Sequence, residues 1–214
     1  MPMVKFVQLF VRVTGWLPQK LCFRTKILYE DRAVQSRRIR GPAIIISNHT
    51  ALFDYAAMLF VFPTRVLRYQ MAEVLFKKPV LGLFLKLMGG IHLDRYAHQY
   101  EPMRQSLEIL SRGGVVGVFP EGRLPVKGET PPIDFQPGAA YLSLASGVRI
   151  IPVWTDGRYF SLSRAHMMIG TPLDPSEFSG LPLPEKEKIT LYTKAIRDKV
   201  ICLKELAHEQ TEKK

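Results

Sequence analysis

Polar and apolar residues run along this chain in blocks whose spacing changes from one segment to the next. Residues 3–17 are apolar apart from a stripe made by Lys5, Gln8 and Arg12, at i, i+3 and i+7 of a helix. Phe6, Phe10 and Trp16 belong to the broad apolar remainder. The segment is shorter than the roughly 20 apolar residues a membrane span needs. Two readings follow: a helix lying in a bilayer interface with Trp16 near headgroup level, or a helix packed on the protein core. Pro18-Gln19-Lys20 follows where a signal peptide would have small residues for cleavage, which argues against one.

Beyond this block the apolar runs shorten and alternate in type. Residues 22–31 alternate loosely and predict a strand, and residues 31–42 are polar, basic and loop-like. The β-branched run Ala43–Ser47 predicts a buried strand, followed by a helix from about Ala51 to Phe62 that Pro63 stops. A short strand over 66–71 precedes 73–88, which Pro79 divides into two short helices. Their apolar stretches, 74–76 and 80–87, fit ordinary core or the lining of a groove. Gly89-Gly90 ends that block before a strand at 91–95. Residues 99–111 read as a helix closed by Gly113-Gly114, and 115–119 as a second buried strand. A Pro- and Gly-rich loop fills 124–137, a small-residue helix 139–146, and strands 148–154 and 167–169. Turn signals occupy 171–184, and an amphipathic helix closes the chain over 185–209.

Strands alternating with helices predict an α/β fold: a single domain with a mixed, mostly parallel sheet flanked by helices, preceded by the N-terminal amphipathic helix. The divisions are residues 1–20 for that helix, 21–209 for the domain and 210–214 for a polar tail.

Charge changes the picture more than size does. The 214 residues carry 30 Lys+Arg against 19 Asp+Glu, a net charge of +11. Such a field attracts nucleic acid, anionic lipid or small phosphorylated substrates. No zinc-finger spacing or RNP-like aromatic motif is present, and the basic residues are dispersed except at Arg37-Arg38-Ile39-Arg40, so nucleic acid is not the expected partner. Lys77, Lys78 and the Arg37–Arg40 cluster are candidates for a membrane-facing or simply solvated surface. Cys22 and Cys202 read as two reduced thiols.

The chemistry gathers where strand 43–47 meets the helix, in Ser47-Asn48-His49-Thr50-Ala51-Leu52-Phe53-Asp54. A neutral histidine can take a proton from a hydroxyl, and a carboxylate on its other nitrogen fixes the tautomer. Five residues apart, His49 and Asp54 do not share a helix face. They meet only if His49 precedes the helix and Asp54 lies in its first turns. Alternatively, Asn48 or Thr50 caps the helix and Asp54 favours its positive end. No His-x3-His or Cys-x2-Cys companion suggests a metal.

Three further polar groups stand at strand ends: Gly89-Gly90-Ile91-His92-Leu93-Asp94-Arg95, Phe119-Pro120-Glu121-Gly122-Arg123 and Ile150-Ile151-Pro152-Val153. In order and spacing, with Asn48-His49-x4-Asp54, they resemble the four motifs of the glycerolipid acyltransferases, the lysophosphatidate and glycerol-3-phosphate acyltransferases. The resemblance runs over about residues 43–154.

It implies an O-acyltransferase making phosphatidic acid from 1-acyl-glycerol-3-phosphate, with an acyl-CoA or acyl-carrier protein as donor and no cofactor or metal. His49 would be the general base and Asp54 its orienter, with no acyl-enzyme. Arg95 would bind the acceptor phosphate, Glu121 and Gly122 would shape the acceptor site, and Arg123 would add a second phosphate contact. A lysophospholipid acceptor and an anionic membrane surface would be the partners, placing the protein peripherally or monotopically on the cytoplasmic face of the cell membrane. Two alternatives stand beside this reading: another acceptor, such as glycerol-3-phosphate or another lyso-lipid, or a non-catalytic basic binder of membrane or nucleic acid. The chain departs from the pattern in two places. Arg123 follows Gly122 directly where the family often has one more residue, and His92 replaces an aromatic or aliphatic residue, as a second base or an exposed strand-end histidine.

Overall fold

A computed structural model of the chain describes residues 2–93 and 100–212. The core is one seven-stranded sheet. Its strands are β1 (Lys26–Tyr29), β2 (Ala43–Ser47), β3 (Leu67–Ala72), β4 (Ile91–Leu93), β5 (Val115–Val118), β6 (Ile150–Thr155) and β7 (His166–Ile169). Their order is β1-β7-β6-β2-β5-β3-β4, and only the β6–β7 pairing is antiparallel. The central strands β2, β5 and β6 are buried at every position, which is why they read as unbroken apolar runs.

Helices cover both faces. Alternate side chains of β2 divide between them: Ile45 joins the cluster under α3 (Asp54–Val61), with Met58 and Phe62, while Ile44 and Ile46 join the one under α7 (Gly138–Ser146) and α9 (Glu185–Glu212), with Leu142 and Tyr192. The remaining helices are α1 (Pro2–Thr14), α2 (Trp16–Pro18), α4 (Glu73–Phe76), α5 (Pro79–Leu87), α6 (Tyr100–Ser111) and α8 (Ser176–Ser179). The mostly parallel α/β domain is therefore present. The closing helix runs to Glu212, so residues 210–212 of the expected tail are helical, and Gln210 donates to the carbonyl of Tyr29.

The N-terminal helix is inside out relative to an ordinary surface helix. Gln8 is fully buried; its amide nitrogen donates to the carbonyls of Leu67 (2.6 Å) and Met88 (2.8 Å), and its oxygen accepts from the Leu67 N–H (3.1 Å). Arg12 donates to the carbonyls of Leu59, Phe62 and Arg65. Val7 and Val11 pack against the core between these anchors, while Met3, Phe6, Leu9, Phe10, Val13 and Trp16 are exposed. Gln8 and Arg12 of the polar stripe thus fasten the helix to the domain, while Lys5 is exposed and much of the apolar surface faces outward. At Gly15 the helix breaks into α2 and then a π-helical turn, Gln19–Phe23. Val74, Val80, Leu81, Leu83 and Phe84 of α4 and α5 are also exposed, while Leu85 is in the core and Leu75 and Phe76 pack against it, so these segments are only in part the ordinary core their composition suggested. No helix among the described residues is long and apolar enough to cross a membrane.

Candidate functional site

The site forms where the parallel strands β2 and β5 and the neighbouring β6 end together, with Ile46 opposite Val118 and Ser47 opposite Val153. Ligand sites of parallel α/β sheets collect at the carboxyl ends of strands, where loops diverge over a rigid base.

Asn48 continues β2 by one rung. Its amide nitrogen donates to the carbonyl of Thr155 (2.8 Å), and its oxygen accepts from the Thr155 N–H (2.9 Å). Both partners are buried, so the two bonds pin the turn that follows to the end of β6. The helix then starts later than the sequence suggests. Its N-cap is Phe53, without a side-chain capping bond, and Asp54 is the first helical residue. Neither Asn48 nor Thr50 caps it: Asn48 is committed to Thr155, and the Thr50 hydroxyl turns to Asp54 (3.1 Å).

The fully buried Asp54 carboxylate gathers five donors. They are His49 Nδ1 (2.8 Å), the N–H groups of Thr50 (2.7 Å) and Ala51 (2.9 Å), the Thr50 hydroxyl and the Tyr159 hydroxyl (2.9 Å). His49 lies before the helix and meets Asp54 as the spacing of five requires. With Nδ1 on a carboxylate, Nε2 is the ring nitrogen left on the other side of the imidazole, where proton exchange with a bound group would have to occur. Burial first, and the Asp54 carboxylate second, push the Tyr159 phenol well above its ordinary pKa, which keeps it a donor.

The imidazole is also held through its face. Phe119 stacks on it at 4.3 Å with planes 13° apart, and the buried Tyr69 ring lies 5.0 Å behind Phe119. Tyr69 fits there because Gly117 of β5 has no Cβ, which would collide with its ring. A small residue in one strand therefore sets the plane of a histidine after another.

Glu121 follows Phe119 at the mouth of β5. It is 3 % exposed, and neither carboxylate oxygen has a hydrogen-bond partner among the described residues. The backbone N–H groups of His49 and Ile133 approach it without closing a bond of ordinary geometry. Burial pushes its pKa up to about 7; the neighbouring Asp54 charge adds to this, and the two N–H groups and Arg123 counteract it. The buried Tyr69 hydroxyl is likewise without a partner among the described residues. A buried polar atom left unpaired is costly, and such atoms beside a candidate base mark where a substrate group would bind.

Gly122 takes a positive φ of 69° to turn the chain back, its N–H donating to the carbonyl of Phe119 (3.0 Å). Arg123 points to the exposed side of the loop, in a bidentate pair with Glu129 at 2.6 Å for both contacts. That pair brings the Glu129 carboxylate down to about 2. His49, Asp54, Glu121 and Gly122 are thus brought together, while Arg123 is tied off by its own loop. Arg95 lies outside the described residues; β4 ends at Leu93. His92 is exposed, its ring 4.8 Å from that of Phe76. Tyr159, Thr155 and Phe119 were not among the expected site residues: Tyr159 is 105 positions from Asp54, and no local spacing reports that contact.

The comparisons with known proteins bear on the same region. The "Acyltransferase" family model matches residues 26–156, more than half of the chain and all of the site just described except Tyr159. A human 1-acyl-sn-glycerol-3-phosphate acyltransferase beta is 28 % identical over 144 residues, 66 % of this chain and 51 % of its own length. The 1-acyl-sn-glycerol-3-phosphate acyltransferase of Bacillus subtilis is 23 % identical over 163 residues, covering 73 % of this chain and 78 % of that one. The chain thus spans about half the length of the human relative and more of the bacterial one. The crystal structure of the 1-acyl-sn-glycerophosphate acyltransferase PlsC from Thermotoga maritima has the same fold, with a TM-score of 0.61 at 21 % identity over 94 % of this chain and 79 % of that one. A site framed by β2, β5 and β6, inside a matched span that runs from β1 to just past β6, makes the chain a member of the acyltransferase family.

Proposed function

We propose that this protein transfers a fatty acyl group from an acyl thioester, acyl-CoA or acyl-carrier protein, to the free hydroxyl of 1-acyl-sn-glycerol-3-phosphate, giving phosphatidic acid. The observation that carries this reading is the His49–Asp54 pair, with four further donors on Asp54 and the His49 ring stacked on the Phe119 of the third motif. Nε2 of His49 takes the acceptor hydroxyl's proton as its oxygen attacks the thioester carbonyl. The tetrahedral adduct then collapses, the C–S bond breaks, and the departing thiolate takes the proton from the imidazolium. Asp54 holds the tautomer and balances the transient positive charge. Glu121, buried beside this pair and half protonated near neutrality, supplies a polar contact for the acceptor. Arg95 is assigned to the acceptor phosphate. Arg123 could join it only by exchanging Glu129 for a phosphate, a like-for-like swap for its guanidinium fork.

The acceptor lives in a bilayer, and the outward apolar surface of α1 suits a protein seated on one, at the cytoplasmic leaflet of the cell membrane. Leu52, Phe53, Phe160 and Leu162 extend exposed apolar surface beside the site itself.

The test is thiol release from acyl-CoA and acyl-carrier protein across a panel of acceptors. The reading predicts release that depends on 1-acyl-glycerol-3-phosphate and is much weaker with glycerol-3-phosphate or neutral lyso-lipids. Preference for a different acceptor would overturn the substrate assignment, and no acceptor-dependent release with any of them would overturn the activity.

A further inference from the structure

A cavity of about 640 Å³ opens between the π-helical turn, β1 and the C-terminal end of α3. The eight residues of α3 separate it from Asp54 at the other end of that helix, by about 10 Å along the axis. Its lining includes Arg12, Lys20, Arg24, Arg37 and Arg164 and, among the described residues, no Asp or Glu. None of the five forms an ion pair among the described residues.

Among the described residues, Arg12, Arg24 and Arg37 donate only to neutral oxygens. Arg12 and Arg37 reach the carbonyls that end α3, Arg37 those of Phe60 and Val61. Helix dipoles give those carbonyls fractional negative charge, which does not neutralise two guanidinium groups. Burial lowers the pKa of Arg12, with only Tyr55 acting against it. Arg24 holds a left-handed φ of 43° and donates to the carbonyl of Leu162. A non-glycine residue in that region stores strain, and strain of this kind collects at binding sites. The Thr25 hydroxyl, also on the cavity wall, is buried without a partner among the described residues.

Five cations, an unmet hydroxyl and no carboxylate around one concavity repel one another unless an anion enters. Arginine forks and a hydroxyl donor match the oxygens of a phosphate. We propose that this cavity is a second anion site, holding a phosphate group apart from the reaction centre, with the half-buried Arg12 and Arg37 at its floor and the exposed Lys20, Arg24 and Arg164 at its rim. Two sources supply that chemistry: the headgroup of a bilayer lipid or a soluble phosphate. Trp16 ties the cavity to the bilayer side, because it lines the cavity, carries Lys20 Nζ 4.1 Å above its ring and belongs to the exposed apolar surface of the N-terminal segment.

Trp16 is also the probe. The other tryptophan, Trp154, is buried, so changes in indole fluorescence on binding report mainly Trp16. The full chain is titrated with inorganic phosphate, with phosphatidylcholine vesicles and with vesicles of equal parts phosphatidylcholine and phosphatidylglycerol. The triple variant Lys20→Gln/Arg24→Gln/Arg164→Gln changes only exposed side chains. The variant Lys186→Gln/Lys194→Gln/Arg149→Gln removes the same charge elsewhere. A saturable response to inorganic phosphate, lost in the rim variant alone, supports the site with a soluble ligand. Tighter binding to the anionic vesicles, weakened roughly 100-fold in the rim variant and within about twofold of wild type in the control, supports the lipid source. Equal binding by all three proteins in both arms overturns the proposal. None of these readouts requires catalysis, so the site stands or falls apart from the acyl-transfer reading.

Discussion

Two carboxylates stand at neighbouring strand ends and live under opposite conditions. Asp54, after β2, is fully buried and accepts from five donors; Glu121, after β5, is almost as buried and closes no hydrogen bond of ordinary geometry among the described residues. Burial therefore does not distinguish them, and satisfaction does. A carboxylate encircled by donors is fixed in place, and it fixes what it touches, here the imidazole of His49. A carboxylate without partners holds a raised pKa and remains open to a substrate group. The proposed function gives the first a positioning role and the second a contact with the acceptor.

The comparison breaks most severely at the satisfied end. Asp54→Asn puts an amide among five donors, so at least one N–H is left facing another. Loss of acyl transfer by about 10³–10⁴-fold is expected, the scale seen when a histidine loses its orienting carboxylate. Rates measured beside thermal unfolding check it; activity within tenfold of wild type would mean that Asp54 does not orient the base.

At the unsatisfied end the expected effect is smaller and depends on pH. The Glu121 pKa rises from 4.5 unfolded to about 7 folded. The folded state thus binds more protons between these values, and the protein loses stability as pH rises from 4.5 through 7, with the penalty constant above. Glu121→Gln removes that penalty, so the variant should be more stable than wild type at pH 8 by up to about 3 kcal/mol and equal to it near pH 4. Denaturant unfolding at the two pH values decides it. A variant less stable than wild type at pH 8 would show that the carboxylate is paired after all.

Gly157 sharpens the account from outside the motifs. It takes a positive φ of 64°, and a Cβ there would collide with Thr50, whose N–H and hydroxyl both serve Asp54. Gly157→Ala should cost about 1–3 kcal/mol of stability and lower kcat more than it raises KM. The smallest effect belongs to Tyr159→Phe, which removes one donor of five. It should cost about 1 kcal/mol, a several-fold fall in kcat with His49 still competent. An unchanged rate would make Tyr159 a packing residue only.

The sequence made the frame legible where burial is two-sided and the apolar run continuous, as in Ala43–Ser47, whose bounds match β2. It was legible too in the requirement that His49 precede the helix holding Asp54. It misled where a residue type has two uses. Asn48 is a common cap, yet here it extends the sheet to Thr155, a partner 107 positions away. The stripe Lys5-Gln8-Arg12 was read correctly as a stripe, but sequence alone could not say which side it faces. Gln8 and Arg12 face the domain because unpaired carbonyls at the ends of α3 and α5 await donors there. Tyr159 and Phe119 were illegible for the same physical reason: their contacts with Asp54 and His49 are made by topology, not by local spacing.

His49 is the proposed base, and Asp54 and Phe119 are the groups that hold its ring. Acceptor-dependent thiol release from acyl-CoA, measured side by side for wild type and for folded His49→Ala, tests this most directly. The account predicts release by wild type in proportion to 1-acyl-glycerol-3-phosphate, and none above background for the variant at an unchanged unfolding midpoint. Full release by His49→Ala would contradict it.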